Sequence, residues 1–242
     1  MSENEFDKKN TIFSDEYDLS QTNKILLANA TLGLLRKDKP SPFSQVKFEF
    51  RRRLTEREII MCRSVFKDSI DYSDVWIIMG GLLQSLTGNA ITPFGHITLP
   101  RSDYINYKDF SKAPPNVKHW FMHEVTHVWQ HQMGFSNIKA GKKLACNFGY
   151  SKTVDSPDSP VGEDLQAYKT DLSGRNIYKR FNEFNMEQQG RIIELYFDGK
   201  FLKFNNPERK HHKLSIKLER HVLFALEFFL KDPKDKSQLP RM

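Results

Sequence analysis

Residues Pro115 to Gly134 read PNVKHWFMHEVTHVWQHQMG, and the fold turns on this stretch. Pro114 and Pro115 suit the first positions of a helix and Gly134 suits its stop, which predicts about five turns. With His123 as zero and roughly 100° per residue, Phe121, Met122, Val125, Val128 and Trp129 fall between roughly 140° and 260°. His119, Trp120, Glu124, Thr126, His127, Gln130 and His131 take the opposite arc. One face is built for a core. The other carries groups that bind metals and move protons.

The centre of that polar face is His123-Glu124-Val125-Thr126-His127, the H-E-x-x-H arrangement. Residues four apart rise about 6 Å and sit about 40° apart, so both imidazoles can meet one ion. A catalytic zinc takes three protein ligands and a water. Glu124 follows a ligand directly, which places a carboxylate beside that water as general base. An amphipathic helix merely rich in His is the competing reading. Against it, the motif sits in register with the polar face of a predicted helix. His119 and His131 extend the ladder, but each step drifts about 40° and climbs about 6 Å, so they are read as supporting the ligands from behind, facing substrate or solvated. A metzincin would need Gly at position 130 and His at position 133; the chain has Gln130 and Met133.

A chain of 242 residues can bury one sizeable core, and although only 38% of it is hydrophobic, 19 Phe supply large apolar area. The excess of 37 Lys and Arg over 30 Asp and Glu, net +7, biases the protein toward anionic surroundings. Its basic residues are dispersed rather than striped and no nucleic-acid motif occurs, so no nucleic-acid partner is expected. Cys62 and Cys146 make no disulfide framework. MSENEFDKKN lacks the apolar core of a signal peptide and no run reaches membrane-span length. Synthesis in the cytoplasm is expected, with any export by a route independent of a signal peptide.

Along the chain, residues 1–20 read as extended or loosely docked and Asn23 to Leu35 as a short helix. Thr55-Glu56-Arg57-Glu58 is a capping box leading into Ile59, Ile60, Cys62, Val65 and Phe66 at helical spacing. Asp74 to Met79 reads as a strand, and Asn89 to Pro100 as two short β-stretches around Pro93-Phe94-Gly95. Such an edge, just before the His-rich helix, suits either peptide addition or plain scaffolding. Phe135 to Gly162 reads as a loop and Glu163 to Leu172 as helix or strand. Asn185 to Gln188 is an Asn version of the capping box, opening a helix that Gly199 closes. Leu214 to Phe229 is helical and apolar. The expected division is an N-terminal extension (1–45), a catalytic domain (46–205), and a C-terminal helix with a basic tail (206–242).

The third ligand must come from another element. Downstream candidates are Glu163, Asp164, Asp171, Glu183, Glu187 and Glu194, ahead of His211, His212 and His221. Glu187, Glu163 and Glu194 lead. Glu187 sits near a helix start, where an acid is also favoured by the helix dipole.

The run His123 to Gln130, HEVTHVWQ, resembles the zincin motif of bacterial proteins associated with the Vgr and Rhs components of type VI secretion. Asn89 to Pro100 followed by Tyr107-Lys108-Asp109-Phe110-Ser111 resembles that group's approach to its zinc helix. Phe184 to Gln189, FNMEQQ, resembles its downstream helix. The similarity covers roughly residues 54–198, and Leu195 stands where the group often has an acid. The resemblance implies a gluzincin-like metallopeptidase of α+β class, a small, mostly antiparallel sheet packed on the HExxH helix with additional helices. It implies Zn2+ as cofactor, His123, His127 and Glu187 as ligands, and Glu124 as base. The expected reaction is amide hydrolysis in a protein or peptidoglycan-peptide substrate, with a secretion-system component or an immunity protein as partner. Two other readings stand beside it: an inactive zincin-fold adaptor, which would not require Glu124, and a structural zinc closed by a fourth protein ligand.

Overall fold

From Arg51 the chain runs through β1 (Arg51–Arg53), α1 (Glu56–Phe66), β2 (Trp76–Met79), β3 (Ile97–Leu99), α2 (Arg101–Asn106), α3 (Pro115–Gln132), α4 (Asn137–Cys146), β4 (Thr153–Asp155), β5 (Glu163–Leu165), α5 (Met186–Phe201) and α6 (Lys210–Lys231). The structure is a computed structural model and describes residues 50–81, 89–202 and 209–241. Among these the architecture is α+β, with six helices and two small sheets. The predicted 1–45 extension, with its 23–35 helix, lies outside the described residues. No described helix is long and apolar enough to cross a membrane.

The helix α3 is the spine. Pro115 starts it and Gly134, at φ +99°, turns the chain away. Its apolar arc is fully used: Phe121, Met122, Val128 and Trp129 have no exposed surface. Phe121 stacks on Phe110 at 4.4 Å, while the indole of Trp129 meets Phe66, Phe181 and Phe229. Trp129 Nε1 also donates to Pro233 O at 2.8 Å, tying down the segment after α6. Most of the polar arc is buried as well, with Trp120 and His131 only partly covered, because α5 packs along it and α6 packs along α5.

The three-stranded sheet behind α3 has the order β1-β2-β3. It is mixed: β1 and β2 pair antiparallel, β2 and β3 parallel, against the mostly antiparallel sheet expected from the sequence. More than a dozen residues separate β2 from β3, enough for the crossover a parallel pair needs. Ile77, Ile97 and Leu99 are wholly buried in the same core as the back of α3. The predicted hairpin before α3 is reduced to β3 and a single antiparallel bridge, Ile91 to Thr98, around Gly95 at φ +74°. A Cβ on Gly95 would lie 2.5 Å from His131 Cδ2, so both backbone and space favour glycine there.

The capping box at α1 forms as read. Thr55 Oγ1 accepts from Glu58 N, and Glu58 Oε2 accepts from Thr55 N at 2.8 Å. Glu58 also takes both arms of Arg52 at 2.8 Å and the backbone N–H of Phe110 at 2.8 Å, with no exposed surface of its own. One carboxylate thereby fastens α1, β1 and the turn before α3. Glu58→Ala is expected to cost about 3–5 kcal/mol, because it strips a buried ion pair of one partner. Urea unfolding measures it; a loss within surface-mutation scatter would show that Arg52 is solvated instead.

Two local readings change, and one left open between helix and strand is decided. The segment read as a loop contains α4, capped by Ser136, and the β4–β5 hairpin. Asp158 in that hairpin is buried and accepts from Thr170 Oγ1 at 2.7 Å and from Leu172 N, so the Asp155 to Pro160 run is pinned rather than loose. Glu163 to Leu165 is a strand. Finally, α5 passes through Gly199 and ends at Phe201; a Cβ on Gly199 would touch Ser215 at 3.5 Å, which makes this glycine a close-packing point with α6.

Candidate metal centre

Two helices build the site. The helix α3 supplies His123 and His127 one turn apart, and their rings sit 4.8 Å apart at 80°. The helix α5 supplies Glu187 in its first turn, set by the Asn185–Gln188 capping box, whose two bonds measure 2.9 and 3.0 Å. Glu187 Oε2 lies 3.0 Å from His123 Nε2 and 3.2 Å from His127 Nε2. These three residues are nearly buried. Of the leading candidates for a third ligand, the structure brings Glu187 to the two histidines. Glu163 lies exposed on β5, outside this group. Glu194 sits behind it, its Oε1 3.3 Å from His123 Nδ1.

The donor set suits zinc. Two imidazole nitrogens and a carboxylate oxygen are zinc ligands, and bonds of about 2.0–2.1 Å in a tetrahedron put neighbouring donors about 3.3 Å apart. The spacings of 3.0 and 3.2 Å to Glu187 come close to that edge. Every ligand is also held from behind, as metal ligands require. His127 Nδ1 lies 2.8 Å from Gln130 Oε1, and Gln130 Nε2 donates to Gln189 Oε1 at 2.9 Å. Glu194, facing His123 Nδ1, is braced by Arg191, which continues to Asp164. Tyr150 OH donates to Glu187 Oε1 at 2.6 Å. Gly190 is the space behind His123: a Cβ there would fall 2.5 Å from His123 Cε1. The residues fit the ion.

Their electrostatics agree. Burial pulls His123 down, but hydrogen bonds to Glu187 and Glu194 outweigh it and lift the ring to about 10. His127 is raised too; burial opposes, and the charge of Glu187 wins. Burial pushes Glu187 up, yet His127 and His123 hold it well below the usual carboxylate range. The carboxylates thus favour the protonated form of both rings, and a divalent ion binding there would compete with protons.

Glu124 belongs to none of these bonds. Its Oε2 accepts from Thr92 Oγ1 at 2.7 Å. Thr92 is placed in turn by Asn137, whose Nδ2 donates to Thr92 O at 2.9 Å and to His127 O at 2.8 Å. The bridged segment before β3 therefore orients the carboxylate next to His123. Sequence reasoning missed Thr92, Asn137, Tyr150 and Gly190, since each acts across a tertiary contact. Gln130 and Glu194 carried a signal, one inside HEVTHVWQ and the other seven residues after Glu187. His119 is buried, against the solvated option.

No family model matches the chain. It is 31% identical over 150 residues to the type VI secretion system spike protein VgrG2b of Pseudomonas aeruginosa, a match covering 62% of this chain and 13% of that protein. The chain thus spans about an eighth of the length of this curated relative. It is also similar to the solved effector domain of Pseudomonas aeruginosa VgrG2b, with a TM-score of 0.47 and 22% identity, over 84% of this chain and 97% of that one.

Proposed function

We propose that this chain is a zinc-dependent peptidase of zincin type that serves as a type VI secretion effector, hydrolysing amide bonds in a protein or in the peptide part of the cell wall. The observation that carries the chemistry is the meeting of His123, His127 and Glu187 beside a Glu124 that is held by Thr92 and left out of the group. Similarity to a spike protein of that secretion system supports delivery without a signal peptide, with a spike component or an immunity protein as partner.

When bound, a zinc ion supplies Lewis acidity, polarising a carbonyl and making water acidic near pH 7. The protein does the rest. Glu124, oriented through its Oε2, takes a proton from water as the new C–O bond forms and returns it to the amine nitrogen as the C–N bond breaks. Gln130, Glu194 and Tyr150 keep His123, His127 and Glu187 in place, so little reorganisation remains for the reaction. A pure adaptor has no need of the Thr92–Glu124 bond.

The test is the full chain against peptidoglycan and a peptide library, with 1,10-phenanthroline or its non-chelating isomer. Hydrolysis should stop with the chelator alone and return with zinc; indifference to the chelator would remove the metal from the mechanism. Metal should also stabilise the fold, by about 2.7 kcal/mol at free zinc a hundredfold above its Kd. Thermal melting of stripped and reloaded protein checks this, and the shift should grow with zinc concentration.

A further inference from the structure

The positive charge of the chain is concentrated near its end. Residues 209–241 hold nine Lys and Arg against four Asp and Glu, five of the seven net charges of the 242 residues. In the sequence these cations are dispersed, but α6 gathers them into a stripe. Lys210, Lys213, Lys217 and Arg220 follow at steps of three, four and three, the spacing of one helix face, and Lys231 returns to that face at the far end. With Lys213 as zero and roughly 100° per residue, all five lie between roughly −20° and +60°. All five are exposed. Leu214, Leu218, Val222, Ala225 and Phe229, between roughly 100° and 180°, are buried in the core.

Three large apolar side chains flank the stripe. Ile216 and Leu223 lie on one side at roughly −60° and −80°, and Phe228 on the other at roughly +60°. They are 46%, 42% and 45% exposed. The acids of α6 do little to cancel the charge. Glu227 is held by Arg180 and Lys231, each at 2.9 Å, and Glu219 lies off the stripe at roughly −120°. The surface is also preformed: α6 spans 22 residues, and Lys67 Nζ donates to its last carbonyls, Leu230 O at 2.6 Å and Lys231 O at 3.0 Å.

Cations alone fit any polyanion; the apolar residues select among them. A phosphate backbone offers Ile216, Leu223 and Phe228 nothing to bury against. A protein partner would need separate pockets, because Ile216 and Leu223 stand about 10 Å apart along the axis and Phe228 lies across the stripe from both. An anionic lipid surface meets both demands without a matching shape. Its headgroups face the ammonium groups, the lysine stems lie along the interface, and the apolar side chains reach the acyl boundary. We infer that the outward face of α6 binds anionic lipid bilayers, holding the protein on the membrane surface. None of these residues belongs to the metal centre, so the inference stands apart from the peptidase reading.

The test is co-sedimentation of the full chain with vesicles of phosphatidylcholine alone and of an equimolar mixture of phosphatidylcholine and phosphatidylglycerol. Two double variants run beside it, Lys217→Glu with Arg220→Glu and Ile216→Ser with Leu223→Ser, each checked for fold by circular dichroism. The unaltered protein is expected to pellet with the mixed vesicles and to stay in solution with phosphatidylcholine. Each cation near an anionic bilayer strengthens partition about fivefold, so the charge variant should bind about 25-fold more weakly or worse. The apolar variant should also bind more weakly, and what binding remains should be lost in high salt. No pelleting with the mixed vesicles, or equal pelleting with both kinds, overturns the inference. Undiminished binding by the charge variant moves the contact to another surface and overturns it too. An apolar variant that binds like the unaltered protein makes the face a general polyanion site, open to an acidic protein, and the bilayer reading falls. Should the double apolar variant not fold, Leu223→Ser alone takes its place.

Discussion

Glu124→Gln is expected to abolish detectable hydrolysis while leaving the fold and the zinc content unchanged. The substitution keeps the shape of the side chain and an oxygen that can still accept from Thr92 Oγ1, now 2.7 Å from Glu124 Oε2. It removes only the capacity to take a proton. General-base contributions run to about 10²–10⁴-fold, which would bury turnover in background. Metal should be retained because Glu124 is not among the three residues that converge, and the back of α3 stays packed against the core. Turnover and elemental analysis on one preparation separate the two effects. Full activity with full zinc would sink the hydrolase reading and leave a zincin arrangement that turns nothing over. Lost activity with lost zinc would make Glu124 a metal-retaining group rather than a base.

The legible part of this molecule is what short-range pattern encodes. The helix α3 could be read with both faces because Phe121, Val125 and Val128 repeat at helical spacing against His119, His123 and His127, and prolines and a glycine mark its ends. Two capping boxes, at Thr55 and Asn185, fixed the starts of α1 and α5. Pattern alone left the third ligand open, because Glu187, Glu194 and Glu163 differ only in how their elements pack against α3. Glu187 and Glu194 lie two turns apart on one face of α5, and both reach His123, one at Nε2 and the other at Nδ1. No periodicity distinguishes the two sides of an imidazole. The helix α4 was obscured by Asn137 and Gly141, residues that favour turns; here Asn137 is buried and its side chain bonds Thr92 and His127 instead. The partners of Glu124 and Glu187, Thr92 and Tyr150, lie 32 and 37 residues away in sequence and act through irregular segments.

Glu187→Ala should cost the protein the zinc held between α3 and α5. It leaves His123 and His127 as the sole ligands from the group, and two neutral imidazoles do not hold zinc against dialysis as three ligands do. It also removes the acceptor of Tyr150 and the anion that both histidines face at 3.0 and 3.2 Å. Loss of a mere supporting partner lowers metal affinity by about 10–100-fold, so loss of a ligand should exceed that range. Two companion variants give the result its meaning. Glu163→Ala, exposed on β5, should bind zinc as the unaltered protein does. Gly190→Ala keeps all three donors but drives a methyl to 2.5 Å from His123 Cε1, so it should weaken zinc by displacing a ring rather than deleting a ligand. Zinc content after dialysis, with a competing chelator to rank affinities, measures all three. Unchanged zinc in Glu187→Ala would move the third ligand to another acid, Glu194 first, since it already faces the opposite nitrogen of His123.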